Sequence, residues 1–395
     1  MEASLREPIK AGRLTIIAAD GQRHILKGPA QGPVATIRVT DPKLLRRMLV
    51  IPDLYLGEGY MAGAITVEEG SLYDVIDFCA LNLMPRLHDP NAAIPPSAYQ
   101  SNVVGKAQAN VAFHYDLNRK LFELFLDRDL QYSCAYFTDV SQSLEQAQLN
   151  KKNRIAAKLL LKPGMRVLDI GCGFGGMALH LAEKFGVEVV GLTLSEEQWA
   201  VAQERAKAAG LEKQVTFKLL DYRRETGRYD RVVSVGMFEH VGQSHYDEFF
   251  KKLGDLLNDD GVCLLHSIGR MSPPGHTSPF LIKYIFPGGY APALSEPIAA
   301  IERAGLLVTD VEILRLHYAE TLRNWHERFQ VNRDKVLAMY DERFCRMWEY
   351  YLQLCEIGYR RLNWMVFHAQ ISKSLTTVPM TRRYMGEWDS GQNQA

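Results

Sequence analysis

Five polar residues, Asp169, Thr193, Asp221, Glu239 and His266, stand at or near the ends of five successive apolar runs, an arrangement that packing alone does not require. Open α/β sheets bind ligands at the carboxyl ends of their strands, so these side chains are candidates for one ligand site. Asp169 closes the run Val167-Leu168-Asp169-Ile170 and precedes the turn Gly171-Cys172-Gly173-Phe174-Gly175-Gly176. Glycines there, with Gly171, Gly173 and Gly175 as the candidate contacts, let the backbone approach a ligand where a Cβ would clash. A carboxylate in front of the turn repels a pyrophosphate but suits a ligand with a cation or free amine. Alone, such a turn is also a common strand-to-helix connection. Together with the residues below, it reads as an S-adenosylmethionine pocket.

The elements that position these residues follow from hydrophobic periodicity. A strand at Val167–Ile170 feeds a helix through Met177–Ala182. A second strand, Glu188–Ser195, ends where such folds place ribose recognition. Ser195 is set to cap a helix that carries Glu196 and Glu197 in its first turn. Thr193, Leu194 and Gln198 are the candidate ribose and adenosine contacts, and Asp221 with Tyr222, after the strand Val215–Leu220, the adenine contacts. Strands at Tyr229–Val235 and Gly261–Ile268 flank a helix near 246–257. The first of them leads into Gly236-Met237-Phe238-Glu239-His240.

The chain has 395 residues, room for two or three domains. Lys plus Arg and Asp plus Glu are 46 each, so zero net charge argues against bulk attraction to nucleic acid or an anionic membrane. Local basic groups, Lys151-Lys152 with Arg154, Arg223-Arg224 with Arg228, and Arg360-Arg361, read as solvated faces. The six cysteines show no CxxC pair or zinc spacing and read as small buried hydrophobes in a reducing compartment. No secretory core or run of about 18 apolar residues is present, which predicts a soluble or peripheral protein.

Residues 1–98 read as a small α+β module, with strands at Gly12–Ile17 and Ala35–Val39 and helices at Asp41–Leu49 and from Ser71. Gly57–Gly63 reads as turn-rich, and the polar, proline-rich Asp89–Ser97 as a linker. Residues 105–160 read as helical, Met271–Leu294 as a lid-like insertion, Val308–Tyr318 as a strand and 319–371 as long amphipathic helices. The expected division is a docking domain at 1–98 and a catalytic domain at 99–395.

Several of these segments coincide in one family. The chain resembles the cyclopropane fatty acid synthases and the related mycolic acid cyclopropane synthases and methyltransferases. The matching segments are His114-Tyr115-Asp116-Leu117, Gln131–Phe137, Val167–Gly176, Gly191–Ser195 with Gln198, Met237–Gly242, Tyr284–Gly289, His317–Leu322 and Arg346–Asn363. Phe174 stands where the family commonly has tryptophan, and Asn118-Arg119 where it commonly has glycine-asparagine. The N-terminal module resembles the extra domain of the branch that acts on phospholipids. The resemblance implies an α/β, class I S-adenosylmethionine-dependent methyltransferase (Rossmann-like) fold behind a small N-terminal α+β domain.

The resemblance also implies a reaction. An unsaturated acyl chain of a phospholipid takes the methyl of S-adenosylmethionine at its double bond, and the resulting carbocation closes to a cyclopropane after losing a proton to bound bicarbonate. Carried over by position, the bicarbonate cage falls on Cys134, Glu239, His266, Ile268 (through its backbone) and Tyr318. The cofactor contacts fall on Tyr132, Ser133, Gly171, Gly173, Thr193, Leu194, Gln198 and Tyr222. Implied partners are a phospholipid bilayer and a second copy in a homodimer, with a cytoplasmic location at the inner face of the membrane. Docking is expected on the Leu44–Leu49 helix with Arg46 and Arg47, or on the Lys283–Tyr290 loop. Competing readings are methyl or methylene branching of acyl chains, a small-molecule N- or C-methyltransferase, and a lipid-binding protein with a vestigial catalytic core.

Overall fold

The structure, a computed structural model, describes residues 8–48, 50–84 and 119–389, the last three as backbone only. The expected linker, the His114–Leu117 motif and Leu49 lie outside the described residues. The chain forms two compact units that are not linear in sequence. One draws on Met1–Pro96, Gly275–Pro287 and Leu322–Trp364, the other on Ser97–Pro274, Gly288–Thr321 and Met365–Ala395. Where a boundary near residue 98 was expected, the first unit thus takes in two later segments.

In the first unit β1 (Ala11–Ile17), β2 (Arg23–Lys27), β3 (Ala30–Val39) and β4 (Ile65–Glu69) form a sheet of order β2-β1-β3-β4. The helix Leu72–Asn82, started by a Ser71–Asp74 capping box, packs on β1 and β3. Its other neighbour is the helix Glu342–Arg361, which also packs on the helix Pro52–Met61. Pairs 200 and more residues apart in sequence lock this arrangement: the Tyr60 hydroxyl donates to Glu349 (2.8 Å), the Tyr350 hydroxyl to the Asp53 carbonyl (2.7 Å), and Arg361 pairs with Asp77 (2.8 Å). Of the stretch read as turn-rich, residues 57–61 belong to this helix Pro52–Met61, and Ala62 and Gly63 form the turn that ends it. Gly57 serves close packing there, since a Cβ would lie 2.5 Å from the Phe280 ring.

The second unit is built on a seven-stranded sheet of order β10-β11-β9-β8-β5-β6-β7. Its strands are β5 (Arg166–Ile170), β6 (Glu188–Thr193), β7 (Val215–Leu219), β8 (Tyr229–Val235), β9 (Leu257–Arg270), β10 (Leu307–Leu314) and β11 (Trp364–Ser372). β5 pairs in parallel with β6 and β8, β6 with β7, and β8 with β9, while β10 and β11 are antiparallel. The order turns back between β5 and β8, the switch point at which such sheets open a ligand crevice. Alternation splits the core. Val167, Val233 and Leu264 join a cluster with Ile155 and Leu159 of the helix Leu144–Leu159, whereas Leu168, Val232 and Leu265 join one with Phe249, Phe250 and Ile301. By the same parity Asp169 and His266 share the face of the helix Leu144–Leu159.

Three expectations are corrected here. Trp364–Ser372, within the stretch read as helical, is a buried strand seated between β9 and β10; its aromatic and β-branched residues suit a pleated surface and Asn363, at φ 58°, turns the chain into it. The strand read over Val308–Tyr318 stops at Leu314, and Tyr318 lies in the first turn of the helix His317–Val331. Residues 126–143 form no helix, because their backbone groups bond locally to side chains such as Asp127 and Asp139.

Candidate active site

The cofactor side of the site rests on local geometry. Asp169 is 1% exposed at the end of β5, and its Oδ2 has no hydrogen-bond partner. Burial pushes its pKa up to about 7, against the pull of the Lys151 ammonium. Gly171 and Gly173 both hold positive φ, at 85° and 53°. A Cβ on Gly171 would sit 2.7 Å from Met237, whereas one on Gly173 would meet nothing within 4 Å, so Gly173 borders open space. Gly175 is the N-cap of the helix Gly176–Phe185. Thr193 donates its hydroxyl to Gln198 Oε1 (2.9 Å) and Ser195 accepts from the Gln198 N–H (3.2 Å), so the β6 tip and the following helix are one rigid piece. Leu194 is half-buried between them.

Asp221 and Tyr222, the expected adenine contacts, are both engaged by Arg223. Both Asp221 oxygens are taken by Arg223, at 2.9 and 2.6 Å. Although burial raises the Asp221 pKa, this ion pair prevails and holds it below the usual carboxylate value. Tyr222 stands edge-on to Phe249 (5.3 Å) with the Arg223 guanidinium over its ring.

Lys151 is the main residue missed by sequence reading. Lys151 and Lys152 were expected on a solvated face, yet they are 0% and 8% exposed. The Lys151 ammonium donates to Gln131 Oε1 (2.6 Å) and Ser133 Oγ (2.8 Å), and Lys152 pairs with Asp129 (2.6 Å). Lys151 therefore pins the segment that carries Tyr132 and Ser133. Tyr132 itself packs edge-on to Phe122 (5.3 Å), which also meets Phe174 (5.7 Å). Burial lowers the Lys151 pKa to about 8, and its charge pulls downward on the pKa of Asp169, Cys134 and His266. The signal was present in the sequence: Leu144, Gln148, Lys151, Ile155 and Lys158 fall on one helical stripe, so both lysines sit among apolar positions.

On the other side, Glu239 lies in a short 3₁₀ turn after β8. Its Oε1 accepts the Ile268 N–H at 2.6 Å, and its Oε2 is buried with no partner. Burial lifts its pKa to about 7, in spite of that bond. Ile268 thus spends its N–H on Glu239, and its carbonyl accepts from the Ser267 hydroxyl (2.9 Å). His266 is buried, with Nδ1 2.8 Å from His368 Nε2. The Cys134 thiol is fully buried, raised in pKa by that burial, and donates to the Ala135 carbonyl (3.3 Å). The Ala135 N–H reaches Thr321 Oγ1 (3.0 Å) and the Phe137 N–H reaches His317 Nδ1 (3.0 Å). Those two bonds stitch the Cys134 segment to the helix turn that carries buried Tyr318. The fold therefore brings Glu239 and Ile268 into contact and ties Cys134 to the Tyr318 turn. From its buried position Glu239 can share a proton with an oxyanion, and Asp169 can offer a carboxylate to a cationic cofactor.

Comparison with known proteins identifies the family of the chain. Residues 104–369 match the family described as mycolic acid cyclopropane synthetase. The chain is 39% identical to the cyclopropane-fatty-acyl-phospholipid synthase of Escherichia coli K12, over 86% of this chain and 88% of that protein. It is 35% identical to the tuberculostearic acid methyltransferase UfaA1 of Mycobacterium tuberculosis, over 88% and 84%. The crystal structure of mycolic acid cyclopropane synthase CmaA1 complexed with SAH and CTAB matches with a TM-score of 0.64 at 35% identity, over 67% of this chain and 97% of that one. The chain belongs to the mycolic acid cyclopropane synthetase family, as an S-adenosylmethionine-dependent methyltransferase of the class I fold.

Proposed function

We propose that this enzyme adds a methylene, taken from S-adenosylmethionine, across the double bond of unsaturated phospholipid acyl chains to form cyclopropane fatty acids. The observation that carries the reading is Glu239, a buried carboxyl with one oxygen tied to a backbone N–H and the other unpartnered. S-adenosylmethionine, when bound, supplies an electrophilic methyl, and bicarbonate, when bound, supplies the base for one of its protons. Asp169, the Gly171–Gly175 turn, Tyr132, Ser133, Thr193, Leu194 and Gln198 would hold the cofactor. Cys134, Glu239, His266 and Tyr318 would hold the anion, and the Ile268 carbonyl would accept from its hydroxyl. The fit is supported by the raised pKa of Glu239: a carboxyl that keeps or shares its proton near neutrality does not repel an oxyanion beside it. The alkene is a weak nucleophile, so rigid positioning by the Thr193–Gln198 piece matters. Burial of Cys134, Glu239 and His266 keeps water from the carbocation on the acyl chain.

The substrate lies in a bilayer, and we assign a peripheral location at the cytoplasmic face. Among the described residues no helix is long and apolar enough to cross a membrane. The helix Pro42–Met48 buries Leu44 and Met48 and exposes Lys43, Arg46 and Arg47, which suits an anionic surface. The Lys283–Tyr290 loop suits docking less well, because Lys283 pairs with Glu58 at 2.5 Å and Ile285 and Tyr290 are buried. A homodimer rests on the resemblance alone, and sedimentation tests it. A branched acyl product is the second reading, favoured by the tuberculostearic acid methyltransferase relative. Incubation with methyl-labelled cofactor and mono-unsaturated phospholipid vesicles should place the label in the acyl chains. Label in soluble acceptors alone would overturn the assignment.

A further inference from the structure

We infer that His368, Lys158 and Glu312 form a one-way hydrogen-bond relay that fixes His266 as the Nε2–H tautomer, so that His266 meets the site as a donor and not as a base. The inference rests on the proposed function for its chemical meaning, but its geometry stands alone. Glu312 and His368 are directly paired across β10 and β11, and β11 is the neighbour of β9, which carries His266. Lys158 comes from the helix Leu144–Leu159 on the same face.

The direction follows from donor inventory. An ammonium has donors only. Lys158 Nζ lies 2.6 Å from Glu312 Oε2, 4.0 Å from Asp310 Oδ1 and 3.3 Å from His368 Nδ1. His368 Nδ1 must therefore accept, and a neutral ring then carries its one hydrogen on Nε2. That hydrogen points along the 2.8 Å contact to His266 Nδ1, which accepts in turn. A neutral His266 is left with its own hydrogen on Nε2. Both rings are buried, at 2% and 0% exposure, and burial holds both well below the ordinary imidazole pKa. The neighbouring charges act in the same sense: Lys151 and Lys158 on His266, and these two with Arg154 on His368. Glu312, 3.8 Å from His368 Nδ1, is the opposing charge, and it is engaged by Arg154 at 2.9 Å and by Lys158. Burial pulls the Lys158 pKa down, and the Glu312 carboxylate beside it pushes back.

His368 and Lys158 are therefore positioning residues for His266, and the methyl proton in the proposed reaction does not go to His266. An anion in the site would receive an N–H instead, a direction set by residues about 50 to 110 positions away in sequence.

The test is nitrogen NMR of the full-length protein with labelled histidine, with the His266 signals assigned by loss in His266→Gln. The expected wild-type result, without lipid or cofactor, is a protonated Nε2 and an unprotonated Nδ1 at His266. In His368→Leu and Lys158→Met, His266 should lose this single tautomer. A protonated Nδ1 or an imidazolium at His266 in the wild type overturns the relay, as does an unchanged tautomer in folded His368→Leu. Turnover in His368→Leu should fall roughly 10- to 100-fold, the usual cost of losing an orienting partner, with KM for S-adenosylmethionine little moved. His368→Gln, which restores a donor toward His266, should recover much of the rate. The wild-type spectrum needs no substrate, so its failure is separate from any failure to make a ring.

Discussion

The two ends of the seven-stranded sheet solve their tasks by different means. At the β5–β6–β7 end the binding geometry is local. Thr193, Ser195 and Gln198 bond across two to five residues, and backbone conformation at Gly171 and Gly173 opens the space. At the β9–β11–β10 end the partners are remote: His266 and His368 are 102 residues apart, and Lys158 and His368 are 210 apart. Local geometry tolerates rigid-body change elsewhere, whereas the remote network exists only when every strand is in register. Cofactor capture should therefore be separable from chemistry.

Mutation at the remote end should have the largest effect. Glu239→Gln keeps an acceptor for the Ile268 N–H but cannot share a proton, and lipid product formation should fall about 10²- to 10⁴-fold while cofactor binding persists. The same variant should be more stable at neutral pH. The folded-state pKa of Glu239 is raised from 4.5 to about 7. The stability held with the carboxyl protonated below pH about 4.5 is lost as pH rises to about 7. At about 1.4 kcal/mol per tenfold change in proton affinity, that loss is on the order of 3 kcal/mol. Denaturant melts of both proteins at pH 5 and pH 8 should show a gap that is small at pH 5 and opens mainly at the higher pH. An equal gap at both would remove the buried-carboxyl account.

At the local end, Asp169→Asn should weaken S-adenosylmethionine binding by about 1.5–3 kcal/mol, the worth of a hydrogen bond to a charged group, and leave turnover at saturation much less affected. Because burial raises the Asp169 pKa to about 7, wild-type affinity for the cationic cofactor should improve as pH rises from 6 to 8. Calorimetric titration over that range reads this directly, and a flat profile would contradict it. Lys151 stands between the two ends and should blur the distinction. Lys151→Met leaves Gln131 Oε1 and Ser133 Oγ without their donor, so stability should drop by about 1–3 kcal/mol, with cofactor affinity and turnover both reduced. If only one of the two moved, Lys151 would belong to that end alone.

The smallest effect belongs to a surface outside both ends. Arg46→Glu with Arg47→Glu should lower cosedimentation with anionic vesicles several-fold, at about 1 kcal/mol per basic residue, without changing turnover on detergent-dispersed lipid. Salt should weaken wild-type vesicle binding only in part. Complete loss at modest salt would argue against any apolar contribution to docking.

The same contrast explains what the sequence could show. The glycine turn, the Ser195 cap and the order β5 to β9 were readable because each is a pattern of neighbours. Cys134, Glu239, His266 and Tyr318 were named through family resemblance, since single residues on separate elements carry no spacing signal. Strand β11 escaped because its apolar run follows a long amphipathic helix with only Asn363 as punctuation. Lys151 and Lys152 read as a solvated face until the buried stripe of Leu144–Leu159 was considered. The ion pair of Asp221 with Arg223, two residues on, gave no separate signal, because such a pair looks like ordinary surface charge.

The most direct test of the central claim is proton NMR and mass analysis of acyl chains after turnover on mono-unsaturated phospholipid vesicles, with and without bicarbonate. A gain of one CH₂ with high-field ring protons, slowed when bicarbonate is stripped and nearly absent in Glu239→Gln, is the expected result. The same gain as a branched methyl or methylene, or ring formation that Glu239→Gln leaves intact, would contradict the account.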